Sequence, residues 1–148
     1  ILCILVPLSI GAISGFVTAT GIGSWYMSLN KPSFNPPNYL FSPVWTLLYT
    51  LMGISLYMIL QSPKNEFTKK AIIIFSIQLF LNFWWSILFF KFQLLGIAFI
   101  EIILIWISIL SMIIIFHKIN KTAAYLQIPY LLWVSFASVL NFTYWFIN

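Results

Sequence analysis

The chain has 148 residues, of which 62% are hydrophobic, 20% aromatic and only 6% charged, and its net charge of +5 includes seven lysines and no arginine. A soluble domain carries roughly 25% charged residues, so with a mean hydropathy of +1.04 this sequence cannot cover a water-facing surface and belongs in a lipid bilayer. The lysines are scattered between apolar runs rather than gathered on one face, which excludes a nucleic-acid partner. Cys3 and His117 are the single members of their types, so neither an intrachain disulfide nor a metal-ligand set can be assembled from them.

A bilayer-crossing helix needs about 20 mostly apolar residues. Five segments qualify, and together they predict one all-α domain over 1–148, an integral membrane bundle of five transmembrane helices. They run from about Leu2 to Ile22, Leu40 to Leu60, Ala71 to Phe90, Leu94 to Phe116, and Ala123 to Ile147. The first exceeds the usual length of a signal-peptide apolar core and is read as a retained helix. It places Gly11, Gly15, Ala19 and Gly23 at four-residue spacing. Such a small-residue face lets a second backbone approach closely, within the bundle or across a dimer contact.

Residues 23–39 follow, a proline-rich loop containing Trp25, Tyr26, Lys31, Pro32, Pro36 and Pro37. Its prolines forbid a regular helix, while its aromatic content and low charge argue for an ordered cap rather than a disordered linker. It leads into a second helix whose first turns carry Trp45 and Tyr49. The third helix places Gln78, Asn82 and Ser86 on one face, with Trp85 beside them. A polar stripe is costly against lipid, so this face looks inward, either to bond neighbouring helices or to meet a ligand.

The fourth helix contains Glu101, an acid within a span, which marks either a functional position or a group reaching for the headgroups or Lys91. His117 ends that helix at the interface. In the fifth, Trp133, Ala137 and Asn141 recur at four-residue spacing. A large ring beside a small residue leaves room for something flat, and is equally compatible with helix packing. Pro129 is expected to kink this helix, and Tyr144 and Trp145 to sit in the interfacial aromatic belt. With five spans, the second and fourth connections share a side and carry Lys64, Lys69, Lys70, Lys118 and Lys121, against Lys31 and Lys91 on the other. The positive-inside rule then places the second and fourth connections in the cytoplasm.

The run Trp25-Tyr26, Leu29, Lys31-Pro32-Ser33, Pro36-Pro37, Phe41, Pro43-Val44-Trp45-Thr46, Leu48-Tyr49 and Met52-Gly53 resembles the signature of the tryptophan-rich sensory protein and translocator protein family. The similarity continues through Gln78, Leu81-Asn82, Trp85-Ser86 and Phe89-Phe90. It ends with Ala123, Leu126, Pro129-Tyr130-Leu131, Trp133, Phe136-Ala137 and Leu140-Asn141, and so covers nearly the whole chain. The resemblance implies a homodimer of five-helix bundles, with a ligand cavity beneath the first loop that takes protoporphyrin IX and isoquinoline carboxamide or benzodiazepine drugs. Carried over by motif, the ligand-binding residues are Trp45, Tyr49, Asn82, Trp85, Ser86, Trp133 and Ala137. Glu101 matches a position where many members have an acid.

Some bacterial members are reported to break protoporphyrin down oxidatively in light, and the resemblance would make Trp45 and Trp133 the photochemical residues. No cofactor is required; protoporphyrin IX would be ligand or substrate. The residues themselves are compatible with this reading, since a flat apolar macrocycle wants stacking rings, a small residue for clearance and a few orienting polar atoms. They contain no nucleophile–base pair and no phosphate loop. Where mammalian members carry a sterol pattern, Val139 and Tyr144 are present but no basic residue follows, so sterol binding is not expected. The leading expectation is a porphyrin receptor with a sensory or regulatory role, followed by light- and oxygen-dependent porphyrin degradation. Tetrapyrrole transport ranks third, since no pair of interrupted helices in inverted halves is visible. The arginine-free, isoleucine-rich composition suits a bacterial cell membrane.

Overall fold

A computed structural model of the chain describes residues 5–13, 41–91 and 94–147, and it is all helical, with no strand among the described residues. Residues 5–13 form a helical stretch, α1. It is followed by α2 (Phe41–Gln61), α3 (Thr68–Ser86), α4 (Leu95–His117), a short α5 (Lys121–Tyr125) and α6 (Ile128–Ile147). The segments Pro43–Gln61, Thr68–Phe89, Leu95–His117 and Lys121–Ile147 are each long and apolar enough to cross a membrane. The rest of the expected first span, the proline-rich loop, Gly15, Ala19, Gly23, Lys31 and the tip of the turn near Gln93 lie outside the described residues.

Local chemistry explains where these helices begin and end. Pro43 falls in the first turn of α2, where its missing N–H costs nothing. Before α3 the Asn65 side chain accepts from the Phe67 N–H at 2.8 Å and the Thr68 hydroxyl accepts from the Asn65 N–H at 3.1 Å, a turn that feeds the chain into the helix. At its other end α3 loosens into a π-helical turn over Ile87–Lys91. Asn120 caps α5 by accepting from the Ala123 N–H at 3.1 Å.

The expected kink at Pro129 takes the form of a break between α5 and α6. A proline ring collides with the carbonyl four residues earlier; that residue is Tyr125, the last of α5. The break leaves the Ala123 carbonyl without its helical partner, because the Gln127 N–H turns to Ala124 instead. Ser55, fully buried on α2, donates its hydroxyl to that carbonyl at 2.7 Å and so staples α2 to α5. Other hydroxyls are satisfied within their own helices, among them Thr50, Ser76, Ser135, Ser138 and Thr143, each donating to the carbonyl four residues back. Lipid offers no alternative partner.

The central element is α4, which packs along both α3 and α6. It buries Ala98, Ile102, Ile105, Ile109, Met112 and Phe116 and turns Ile97, Ile100, Leu104, Ile107 and Ile114 outward. One core gathers residues from α2 to α6, including Met52, Ile59, Phe75, Ile109, Phe116, Ala124 and Val134. Trp106 donates from Nε1 to the Ser135 hydroxyl at 2.8 Å, pinning α4 to α6. At one end of the bundle the second and fourth connections meet. Lys70 and Lys118 both sit over the Phe67 ring, at 5.7 and 4.7 Å from its centroid, and Asn120 donates to Ser62 at 3.3 Å. Five of the seven lysines belong to these two connections.

Candidate functional site

Trp45 and Tyr49 stand one turn apart on α2, with ring centroids 5.6 Å apart. Trp45 meets Trp133 of α6 edge to face, with centroids 6.4 Å apart and planes at 90°, and it meets Tyr130 at the same separation. Both tryptophans are half-buried. Trp133 continues the ring contacts to Phe136 at 5.6 Å.

Behind these rings runs a chain of buried hydrogen bonds that joins three helices. Tyr49 donates its hydroxyl to Asn82 Oδ1 at 2.8 Å; Asn82 Nδ2 donates to the Tyr130 hydroxyl at 2.6 Å; Tyr130 in turn donates to Gln78 Oε1 at 2.8 Å. Asn82 is 2% exposed, Tyr130 1% and Gln78 0%. Gln78 Nε2 ends the chain against the Met52 sulfur at 3.9 Å. The carboxamides of Gln78 and Asn82, four residues apart on α3, each meet the Tyr130 hydroxyl. That is how a polar stripe is accommodated in a low-dielectric interior.

Gly11 of α1 explains how Tyr49 is held. A Cβ on Gly11 would lie 2.5 Å from Tyr49 Cε2, so only glycine lets α1 close over that ring. For Gly11, then, packing within the bundle accounts for the small residue. A second tie lies beyond Asn82. Trp85 donates to Asn141 Oδ1 at 3.0 Å, and Asn141 Nδ2 donates to the Leu95 carbonyl at 3.0 Å. Ala137, one turn beyond Trp133 and one before Asn141, is buried.

The structure therefore brings together Trp45, Tyr49, Asn82 and Trp133, with Ala137 on the same face of α6 as Trp133. Trp85 belongs to the neighbouring Asn141 pair. The Ser86 side chain lies outside the described residues. Glu101 is buried on the inner face of α4 rather than reaching the headgroups, and its Oε1 has no hydrogen-bond partner among the described residues. It is not a link of the Tyr49–Gln78 chain. The residue that the pattern of spacings did not single out is Tyr130, which joins Asn82 to Gln78 and faces Trp45. Its hint was its place directly after Pro129, at the start of a helix that carries Trp133 one turn on.

The arrangement offers an aromatic surface backed by polar groups that are already paired with one another. Such a surface can hold a flat apolar ligand by ring contact, and the paired network behind it supplies rigidity.

The TspO/MBR family model matches residues 3–146. The chain is 42% identical over 144 residues to the Tryptophan-rich protein TspO of Chlorobaculum tepidum, covering 96% of this chain and 90% of that protein. To the Tryptophan-rich protein TspO of Archaeoglobus fulgidus it is 44% identical over 147 residues, covering 98% and 94%. The human Translocator protein is 33% identical over 135 residues, covering 89% and 79%. With its four long apolar helices and this match across almost its whole length, the chain is an integral membrane protein that belongs to the TspO/MBR family.

Proposed function

We propose that the chain is a membrane receptor for a flat tetrapyrrole, protoporphyrin IX, with a sensory or regulatory role in tetrapyrrole or stress handling. Ligands of the isoquinoline and benzodiazepine type would use the same surface. The observation that carries this reading is the edge-to-face pair of half-buried Trp45 and Trp133, set against the paired Tyr49–Asn82–Tyr130–Gln78 chain. On this reading Trp45 and Trp133 contact the macrocycle, Ala137 gives it clearance, and Tyr49, Asn82, Trp85 and Ser86 shape the wall behind. The protein works as a homodimer in a bacterial cell membrane, with the second and fourth connections in the cytoplasm, and it needs no bound cofactor.

A second reading is light- and oxygen-dependent degradation of the bound porphyrin. It is favoured by the contact between Trp45 and Trp133, since two adjoining indoles can pass an electron to an excited macrocycle. Transport of the tetrapyrrole has no comparable observation behind it.

The test is a titration of detergent-purified protein with protoporphyrin IX, following tryptophan quenching in the dark and porphyrin absorbance in light. Saturable quenching with stable absorbance supports the receptor. Saturable quenching with loss of the porphyrin band, reduced in Trp133→Phe while dark binding stays within about twofold, supports degradation. Quenching that never saturates removes the tetrapyrrole from the proposal.

A further inference from the structure

On the outside of the bundle, away from the tryptophan pair, α1, α2 and α3 enclose an apolar groove of about 640 Å³. Ile10 of α1 and Leu56 of α2 form one wall, Leu79 the floor, and Ile72, Phe80 and Trp84 the exposed α3 side. The volume falls in the range of about 300–1,000 Å³ usual for small-molecule sites. Among the described lining residues the one hydroxyl, on Ser76, already donates to the Ile72 carbonyl at 2.9 Å. Apart from the Trp84 indole N–H, the described lining therefore offers an occupant hydrocarbon and aromatic surface.

Its ends differ. Lys69 stands three residues before Ile72 and seven before Ser76, on the stripe that continues through Phe80. Lys69 and Lys70 are exposed at the end of the bundle where the second and fourth connections meet, and the acid in those connections is Glu66 against five lysines. From Ile72 to Trp84, α3 rises by about 18 Å. The hydrocarbon of a single leaflet is about 15 Å deep, half the bilayer core. An occupant anchored at Lys69 and lying along the groove thus spans one leaflet.

We propose that this groove is a binding site for an anionic phospholipid, with one acyl chain along α3 and the headgroup phosphate at Lys69. Charge at one end, hydrocarbon below it and a length of one leaflet describe a lipid better than a second copy of the chain, which would bring its own lysines to the same place. The site is independent of the tetrapyrrole reading.

Trp84 lines the groove and reports on it. Protein in detergent is titrated with phosphatidylglycerol or phosphatidylcholine brominated on the acyl chains, whose bromines quench indoles in contact. The part of the quenching that disappears in Trp84→Phe should saturate, with half-saturation at a mole fraction of phosphatidylglycerol several-fold below that of phosphatidylcholine. One lysine near a membrane surface contributes about fivefold to anionic-lipid attraction, so Lys69→Gln should raise half-saturation for phosphatidylglycerol about fivefold and leave phosphatidylcholine unchanged. Ser76→Phe, on the exposed stripe, should abolish the saturable part for both lipids. If Ser76→Phe does not fold, Lys69→Gln alone decides the matter. Identical curves for the two lipids, or no effect of Lys69→Gln, overturn the proposal in favour of ordinary boundary lipid. A Trp84 signal that is shielded in dimers and appears only in monomers overturns it in favour of a dimer seam.

Discussion

The two sides of α3 carry out opposite tasks with similar material. Inward, Gln78 and Asn82 end in carboxamides that are committed to Tyr49, Tyr130 and Met52. Outward, Ile72, Phe80 and Trp84 present only hydrocarbon and rings, and Ser76 hides its hydroxyl against its own helix. The inner side is specific because each polar group must find its partner or bear the cost of desolvation. The outer side is permissive, because one apolar occupant can replace another at little cost. The helix thus joins a rigid interior to an adaptable exterior.

The contrast should be easiest to break at Asn82. Asn82→Leu removes the acceptor of Tyr49 and one partner of Tyr130 together. It should destabilise the bundle by about 1–2 kcal/mol, above the average of about 0.6 kcal/mol for a single interhelical hydrogen bond in a membrane. Unfolding in mixed detergent–dodecyl sulfate micelles measures this. Adding Tyr49→Phe should recover part of the loss, since the orphaned donor is then gone.

Ala137→Leu tests whether the face shared with Trp133 is needed by the ligand. The added bulk should weaken protoporphyrin IX binding by about tenfold, a change of about 1.4 kcal/mol, with the fold retained. Unchanged affinity in the quenching titration would move the site away from α6. The smallest effect is expected at Ser55. Ser55→Ala strands the Ala123 carbonyl and should lower stability by about 0.5–1.5 kcal/mol without altering porphyrin affinity. A large loss of affinity there would show that the site depends on the α2–α5 contact as much as on its own rings.

Much of this architecture is legible in the sequence. Apolar runs of about 20 residues have few alternatives in a chain with so little charge. Pro129 announced a disturbance in the last span, and Gln78 and Asn82 announced an inward face on α3. The orientation of α4 is not legible, because isoleucine occupies both its buried side (Ile102, Ile105, Ile109) and its lipid-facing side (Ile97, Ile100, Ile107), and hydropathy cannot tell protein from lipid as a neighbour. Nor is Tyr130 as a junction, since it lies 48 residues from Asn82 and no local period connects them. Within the candidate site, the motif groups Trp45, Tyr49, Asn82, Trp85, Ser86, Trp133 and Ala137, and the structure brings Trp45, Tyr49, Asn82 and Trp133 together. What the motif could not supply was that Tyr49 and Asn82 bond each other, which makes them framework behind the rings.

The break before α6 gives this framework a mechanical character. α5 is fastened to α2 through Ser55 and, at its cap, to Ser62, whereas Trp133 stands beyond the joint on α6. From Gln127 to Trp133 the lever is about 9 Å long, so a tilt of about 10° at the joint would carry the indole sideways by about 1.5 Å, enough to open or close an aromatic contact. The fulcrum lies close to the lysine-bearing end. A push on the ring would therefore be felt there, at the opposite end of the lever from the indole.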